Sequence, residues 1–194
     1  MRRASGAPHC APSGSGQIWC SVMAKAREIP GLSPELPYGE VAARVVEVRT
    51  AELMDHSADV LDVSDIERVH DMRVATRRLR AAIEVFWPCF PAKLRKSVLA
   101  EVKALADALG ERRDRDVAID VLGSFAASMP QPDRPGIRSL VGELQIEQRD
   151  ANEGLAGHVE PARLARLRES LAELAAAARV SAVDHQSTSG EAAE

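Results

Sequence analysis

The chain has 194 residues, a length that suits one folded domain and is short for two. A formal net charge of -4 argues against a protein that coats nucleic acid through a general positive charge. Only 3% of the residues are aromatic, and the chain is rich in the helix formers Ala, Leu, Glu and Arg, so the composition favours an all-α fold over a β-sheet.

The cysteines do not suggest a structural framework. Cys10, Cys20 and Cys89 have no paired spacing, which predicts neither disulfides nor a zinc site and fits a reducing cytoplasm. No apolar run reaches the roughly 18 residues that a membrane span needs. The N-terminus also lacks the apolar core of a secretory signal. We therefore expect a cytoplasmic protein with no membrane partner, no metal and no cofactor.

The chain divides into three predicted parts. Residues 1–37 are rich in Gly, Pro and Ser and carry no amphipathic period, so we predict a disordered N-terminal segment. Residues 38–180 show helical periodicity and are predicted to form one helical bundle of about six helices. The tail, residues 181–194, is polar and is expected to be flexible.

The helix ends are marked by cap and breaker residues. The predicted helices cover about 38–57, 65–87, 91–109, 114–128, 137–156 and 161–179. Ser64 or Asp65 should cap the second helix by accepting a hydrogen bond from a free amide group. Gly110 should end the third helix, and Pro161 suits the first position of the sixth.

Positive charge is concentrated in one stretch. Between Ile66 and Asp116 there are 12 Lys and Arg against 8 Asp and Glu, whereas the rest of the chain has 13 against 21. An apolar stripe on the second helix should face the core: Met72, Ala75, Leu79, Ala82, Ile83 and Phe86. Four basic residues form a separate stripe, roughly 80° wide: His70, Arg73, Arg77 and Arg80.

This basic stripe has two interpretations: the solvated side of an amphipathic helix, or a site for an anion. Like charges at these spacings repel by a few tenths of a kcal/mol per pair. Asp71 and Glu84 are expected on other faces, so the stripe favours an external anion or acidic partners from another helix. Its residues are Arg rather than Lys, and planar guanidinium groups suit bidentate contacts with phosphate oxygens.

The next two predicted helices add further cations. Lys96 and Lys103 lie opposite the apolar face of the third helix, which is made of Leu94, Val98, Val102, Leu105 and Leu109. Three arginines come at the start of the fourth: Arg112, Arg113 and Arg115. Free amide groups at a helix N-terminus favour anions. Alternatively, Asp114 or Asp116 caps this helix and pairs with a nearby arginine.

These residues resemble two signatures of the CHAD domain, the conserved-histidine α-helical domain. The first, VHDMRVATRRLR, contains His70, Arg73, Arg77, Arg78 and Arg80. The second runs from Lys103-Ala104-Leu105 through Leu109-Gly110 to Arg113-Asp114-Arg115-Asp116-Val117. The resemblance covers about residues 37–179. It implies a helical bundle with a basic surface that binds inorganic polyphosphate and has no catalytic activity of its own.

The resemblance also implies which residues contact the polyanion: His70, Arg73, Arg77, Arg80, Lys103 and Arg113. Lys96 and Arg112 are added from the charge pattern, and Arg78 is a candidate although it points away from the main stripe. Fuller members of the family contain two such units, whereas no second His-x-x-Arg helix follows Gly136. We therefore expect a homodimer in contact through the apolar face of the first or sixth helix, located in the cytoplasm with polyphosphate granules.

Two other functions use the same residues. His70 would be the phosphoryl carrier of a histidine phosphotransfer bundle, but the usual H-x-L-K-G neighbourhood is absent. A nucleic-acid binder would contact only phosphates here, because no aromatic residues lie beside the arginines to stack on bases. A metal at His70 is disfavoured by the neighbouring cations.

Overall fold

A computed structural model describes residues 25–190, with side-chain positions for residues 25–180. This part of the chain contains helices and no strands, which confirms the all-α prediction. Its α-helices are α1 (Tyr38–Asp55), α2 (Ile66–Val85), α3 (Ala92–Ser128), α4 (Arg134–Ala156) and α5 (Pro161–Gly190). Two 3-10 turns, Trp87–Cys89 and Gln131–Asp133, follow α2 and α3.

The segment before α1 contacts that helix. Most of the predicted disordered segment, residues 1–24, lies outside the described residues. Residues 25–37 contain no helix, but the Arg49 guanidinium donates to the carbonyl of Arg27 at 3.0 Å. The amide of Arg27 donates to the buried carboxylate of Glu52. Burial raises the pKa of Glu52, but the hydrogen bonds from Arg27 and Arg49 outweigh it and bring the pKa below its usual value.

The ends of α2 and α5 follow the predicted cap residues. Asp65, rather than Ser64, caps α2, because its carboxylate accepts a hydrogen bond from the amide of Glu67 at 3.2 Å. Helix α5 begins at Pro161, as predicted. It continues to Gly190, beyond the end near residue 179 that the sequence pattern indicated.

The predicted break at Gly110 is wrong. Helix α3 is one uninterrupted helix of 37 residues and replaces the third and fourth predicted helices, so the described residues form five helices rather than about six. A Cβ atom at Gly110 would meet no atom within 4 Å. A helical Gly costs about 1 kcal/mol relative to Ala. Leu109 packs in the core before Gly110, and Arg112 and Asp116 pair with each other after it, so contacts on both sides keep the helix continuous.

Four helical segments form most of the core: α1, α2, residues 92–116 of α3, and residues 161–180 of α5. Leu155 near the end of α4 is fully buried in the same core. Helices α2 and α3 are antiparallel, because a short turn joins them at one end and Arg113 contacts the carbonyl of Ile66 at the other, at 2.9 Å. The predicted apolar stripe of α2 is buried except for the partly buried Phe86, which confirms its orientation. Fully buried leucines come from all four segments: Leu53, Leu79, Leu105, Leu109, Leu171 and Leu174.

Helices α1 and α5 bury their apolar faces within this core. Arg179 on α5 joins them at the surface, with 2.8 Å contacts to Glu40 and Glu47 on α1. Burial of Val46 and Leu171 shows that the two faces are directed inward. These apolar residues of α1 and of the described part of α5 are therefore covered within the chain, and the homodimer that we expected from the sequence stays a prediction.

The second part of α3 and the first part of α4 form a helical hairpin that projects from the bundle. Residues 117–128 of α3 extend past Asp116, the last buried residue of that helix, and residues 134–147 of α4 return beside them to Gln148. No residue in the fully described stretch from 117 to 147 is buried. The hairpin therefore has two helices but no core beyond the contact between them.

Candidate functional site

Three arginines of α2 lie away from its buried stripe. Arg73, Arg77 and Arg80 are exposed, as the sequence predicts. Arg80 pairs with Glu84 at 3.3 Å, which corrects our expectation that Glu84 lies on another face. Their side chains are 44% and 55% exposed, so this surface pair contributes little to stability. Arg73 and Arg77 form no ion pair or hydrogen bond with the described residues.

His70 lies on the same helix, one turn before Arg73. Its side chain is half-buried, and its Nε2 atom is buried without a hydrogen-bond partner among the described residues. A buried polar atom without a partner costs about 1–3 kcal/mol. A hydrogen-bonding group from a ligand would remove this cost.

The lysines of α3 lie on the neighbouring antiparallel helix. Lys96 and Lys103 are exposed, and the opposite face of α3 buries Val98, Val102 and Leu105, as predicted. The structure therefore places the six exposed or half-buried candidate cations on two adjacent helices: His70, Arg73, Arg77, Arg80, Lys96 and Lys103.

Arg112 is not a surface residue, so its prediction as a contact for a polyanion is wrong. Its side chain is 0% exposed and pairs with Asp116 through Nη2 at 3.1 Å and Nη1 at 3.2 Å. Gln148 on α4 donates to the same carboxylate at 2.6 Å. Burial lowers the pKa of Arg112 and raises the pKa of Asp116, because both charged forms lose water.

The buried network of Arg112, Asp116 and Gln148 explains why the prediction for Arg112 was wrong. With no break at Gly110, Arg112 follows Leu105 and Leu109 on the inward face of α3 and cannot lie at an exposed helix start. The predicted pairing of an arginine with Asp114 or Asp116 is confirmed for Asp116, although within a helix rather than at a cap. The spacing of the arginine and aspartate, four residues apart and in register with the leucines, is the signal that identifies the pair.

Arg113 is also largely withdrawn from the surface. Its side chain is 10% exposed. It donates to the carbonyl of Ile66 at 2.9 Å and to the carboxylate of Glu67 at 3.4 Å, both in the first turn of α2. This arginine holds the start of α2 against α3. Its predicted contact with a polyanion stays a prediction, for a side chain whose hydrogen bonds are already made within the fold.

Arg78 does not belong to the basic stripe. It is half-buried and takes part in an electrostatic interaction, and its charge helps to lower the pKa of Glu52 on α1. The stripe of Arg73, Arg77 and Arg80 thus excludes Arg78, in line with the helical projection.

Metal binding and membrane spanning each require a particular arrangement of the described residues. They contain no group of three or more His, Cys, Asp or Glu side chains placed to hold a metal ion. Among the same residues, no helix combines the length and the apolar character that are needed to cross a membrane.

The fold and this surface define a class of protein: a helical-bundle domain that carries a row of cations on the outer side of one helix. The family model of the CHAD domain matches residues 44–194, which include α2 to α5 and most of α1. The chain belongs to the CHAD domain family, as the resemblance predicted. It matches no curated protein.

Proposed function

We propose that this protein binds inorganic polyphosphate without chemical turnover, on a surface formed by α2 and α3. The residues that bind are His70, Arg73, Arg77, Arg80, Lys96 and Lys103. Arg112 and Arg113 act on the fold instead, because both are buried and bonded within the protein. Membership of the CHAD domain family supports the choice of ligand.

The exposed, unpaired side chains of Arg73 and Arg77 carry this proposal. The two guanidinium groups lie four residues apart on one helix, where like charges repel. No carboxylate among the described residues pairs with them. A chain of phosphates relieves this repulsion and provides oxygen atoms for bidentate hydrogen bonds.

The imidazole of His70 supports the same surface. Its side chain is half-buried beside the arginines and its Nε2 atom has no partner among the described residues, so a phosphate oxygen that reached the ring would supply one. A role for His70 as a phosphoryl carrier has less support, because the H-x-L-K-G neighbourhood of histidine phosphotransfer bundles is absent. Binding to the polymer would also place the protein with polyphosphate granules.

A titration with long-chain polyphosphate at several salt concentrations tests the proposal. Released counterions make such binding weaken steeply with salt, by a slope of about 0.7–0.9 per phosphate contact if the behaviour of nucleic acids holds for polyphosphate. The double variant Arg73→Ala/Arg77→Ala should lower the slope by roughly 1.5 and weaken binding more than tenfold.

The matched control removes two charges elsewhere. Arg149 and Arg166 are exposed and have no partner among the described residues, so Arg149→Ala/Arg166→Ala has the same net charge as the test variant. It should bind like the wild type. Equal losses in both variants would show that net charge alone governs binding. Release of inorganic phosphate would contradict the absence of turnover, and stronger competition by DNA than by polyphosphate would favour a nucleic-acid function.

A further inference from the structure

The hairpin carries an apolar stripe that nothing in the described chain covers. Val117, Val121 and Phe125 on α3 are 38%, 49% and 54% exposed. They are spaced by four residues, so they form one row along the helix. Residues 117–128 contain a single ionisable side chain, Asp120. Exposed rows of this kind on a projecting element mark interaction surfaces.

We propose that this stripe is the contact for a second copy of the same chain, in an antiparallel pair of α3 helices related by a two-fold axis at Val121. A two-fold contact requires a surface that is complementary to itself. The stripe meets this condition, because the axis places Val121 against itself and Val117 against Phe125 of the second copy. The proposal does not depend on any ligand.

The charges at the two ends of the stripe favour the same arrangement. At the base of the hairpin, Glu111, Asp114, Arg115 and Glu147 sum to -2. At the tip, Asp133, Arg134 and Arg138 sum to +1. An antiparallel pair brings the tip of each copy beside the base of the other, so opposite charges meet. A parallel pair would place like charges together.

The size of the stripe indicates a reversible dimer. Stable interfaces bury about 800 Å² per partner. Three partly exposed side chains on one helix provide less than this, so the dimer should dissociate on dilution in the micromolar range. Sedimentation equilibrium of the full chain over a concentration series should show the mass rising from 20.9 kDa towards twice that value.

Two variants at residues of similar exposure test the surface. Val121→Glu places two carboxylates at the axis and should give a monomer at every concentration. Ile146 is 53% exposed on α4 of the same hairpin, so Ile146→Glu should dimerise like the wild type. Circular dichroism checks that both variants are folded. A monomeric wild type, or equal dissociation of both variants, would overturn the proposal.

Disulfide trapping tests the axis itself, in a chain with Cys10 and Cys20 replaced by serine. Cys89 is only 7% exposed. Val121→Cys should cross-link two copies rapidly under mild oxidation, because a residue on the axis meets itself. Val117→Cys should not, since its thiols lie eight residues apart along the helix axis, about 12 Å, which is beyond disulfide reach. Cross-linking of Val117→Cys at the rate of Val121→Cys would exclude this axis.

Discussion

Replacement of Arg112 by methionine should destabilise the fold rather than act through a binding surface. In the wild type the guanidinium and the carboxylate of Asp116 are both 0% exposed and lie 3.1 Å apart. Methionine fills similar space but leaves the carboxylate without a counter-charge, with only the 2.6 Å hydrogen bond from Gln148. Removal of one partner of a buried pair costs about 3–5 kcal/mol, which for a domain of this size lowers the melting temperature by roughly 6–20 °C.

The pH dependence of this loss has a defined sign. Burial already raises the pKa of Asp116, and loss of Arg112 removes an interaction that lowers it, so the folded pKa rises further. It then lies above the unfolded value of about 3.9. The buried carboxylate is therefore neutral and harmless at low pH, and its cost grows as pH rises through the folded pKa. The deficit of Arg112→Met should be largest near neutral pH and should shrink towards about pH 4.

Thermal unfolding followed by circular dichroism measures both effects. Arg115→Met is the matched control, because Arg115 lies on the same helix, is 34% exposed and makes two surface contacts, a 3.4 Å ion pair with Glu147 and a 3.1 Å hydrogen bond to the carbonyl of Glu111. That pair is worth about 0–1 kcal/mol. The reasoning is refuted if Arg112→Met melts with Arg115→Met, or if its deficit increases as the pH is lowered.

Three further predictions concern the bundle. Leu79→Ala should cost about 2–5 kcal/mol in urea unfolding as a core truncation, whereas Arg77→Ala should stay within about 0.5 kcal/mol of the wild type; equal losses would place Arg77 inside the structure. Arg113→Met removes the hydrogen bond to the carbonyl of Ile66 and should speed amide hydrogen exchange at the start of α2. Unchanged exchange there would contradict the role of Arg113 in holding α2 against α3. Burial raises the pKa of the Cys89 thiol, so with the other two cysteines replaced by serine the folded protein should react with a thiol reagent far more slowly than the unfolded chain; equal rates would show that Cys89 is accessible.

Local patterns predicted the helices and their inward faces. The period of α2 placed Leu79 in the core and Arg73 and Arg77 at the surface, because burial of an amphipathic helix follows its apolar stripe. The cap at Asp65 and the start at Pro161 follow from the chemistry of single residues. Such features depend on residues that are close together in the sequence, so they can be predicted without a structure.

The errors arose where tertiary contacts decide the outcome. A glycine in this position often marks the end of a helix. At Gly110, however, α3 continues without a break, because the residues on either side pack against the bundle. The predicted helix break placed Arg112 at an exposed helix start, so a core residue was predicted to bind the polyanion. The hydrogen bond from Gln148 to Asp116 joins residues 32 positions apart, so no local sequence pattern predicts it.

The continuity of α3 has a mechanical consequence. The helix is continuous over about 55 Å, and residues 117–128 beyond Asp116, its last buried residue, form a lever arm of about 18 Å. A bend of about 10° where this arm leaves the bundle would move the tip of the hairpin by about 3 Å, since displacement grows with the length of the arm. The angle of α3 just beyond Asp116 thus governs the reach of the hairpin, while the buried residues before it stay in place.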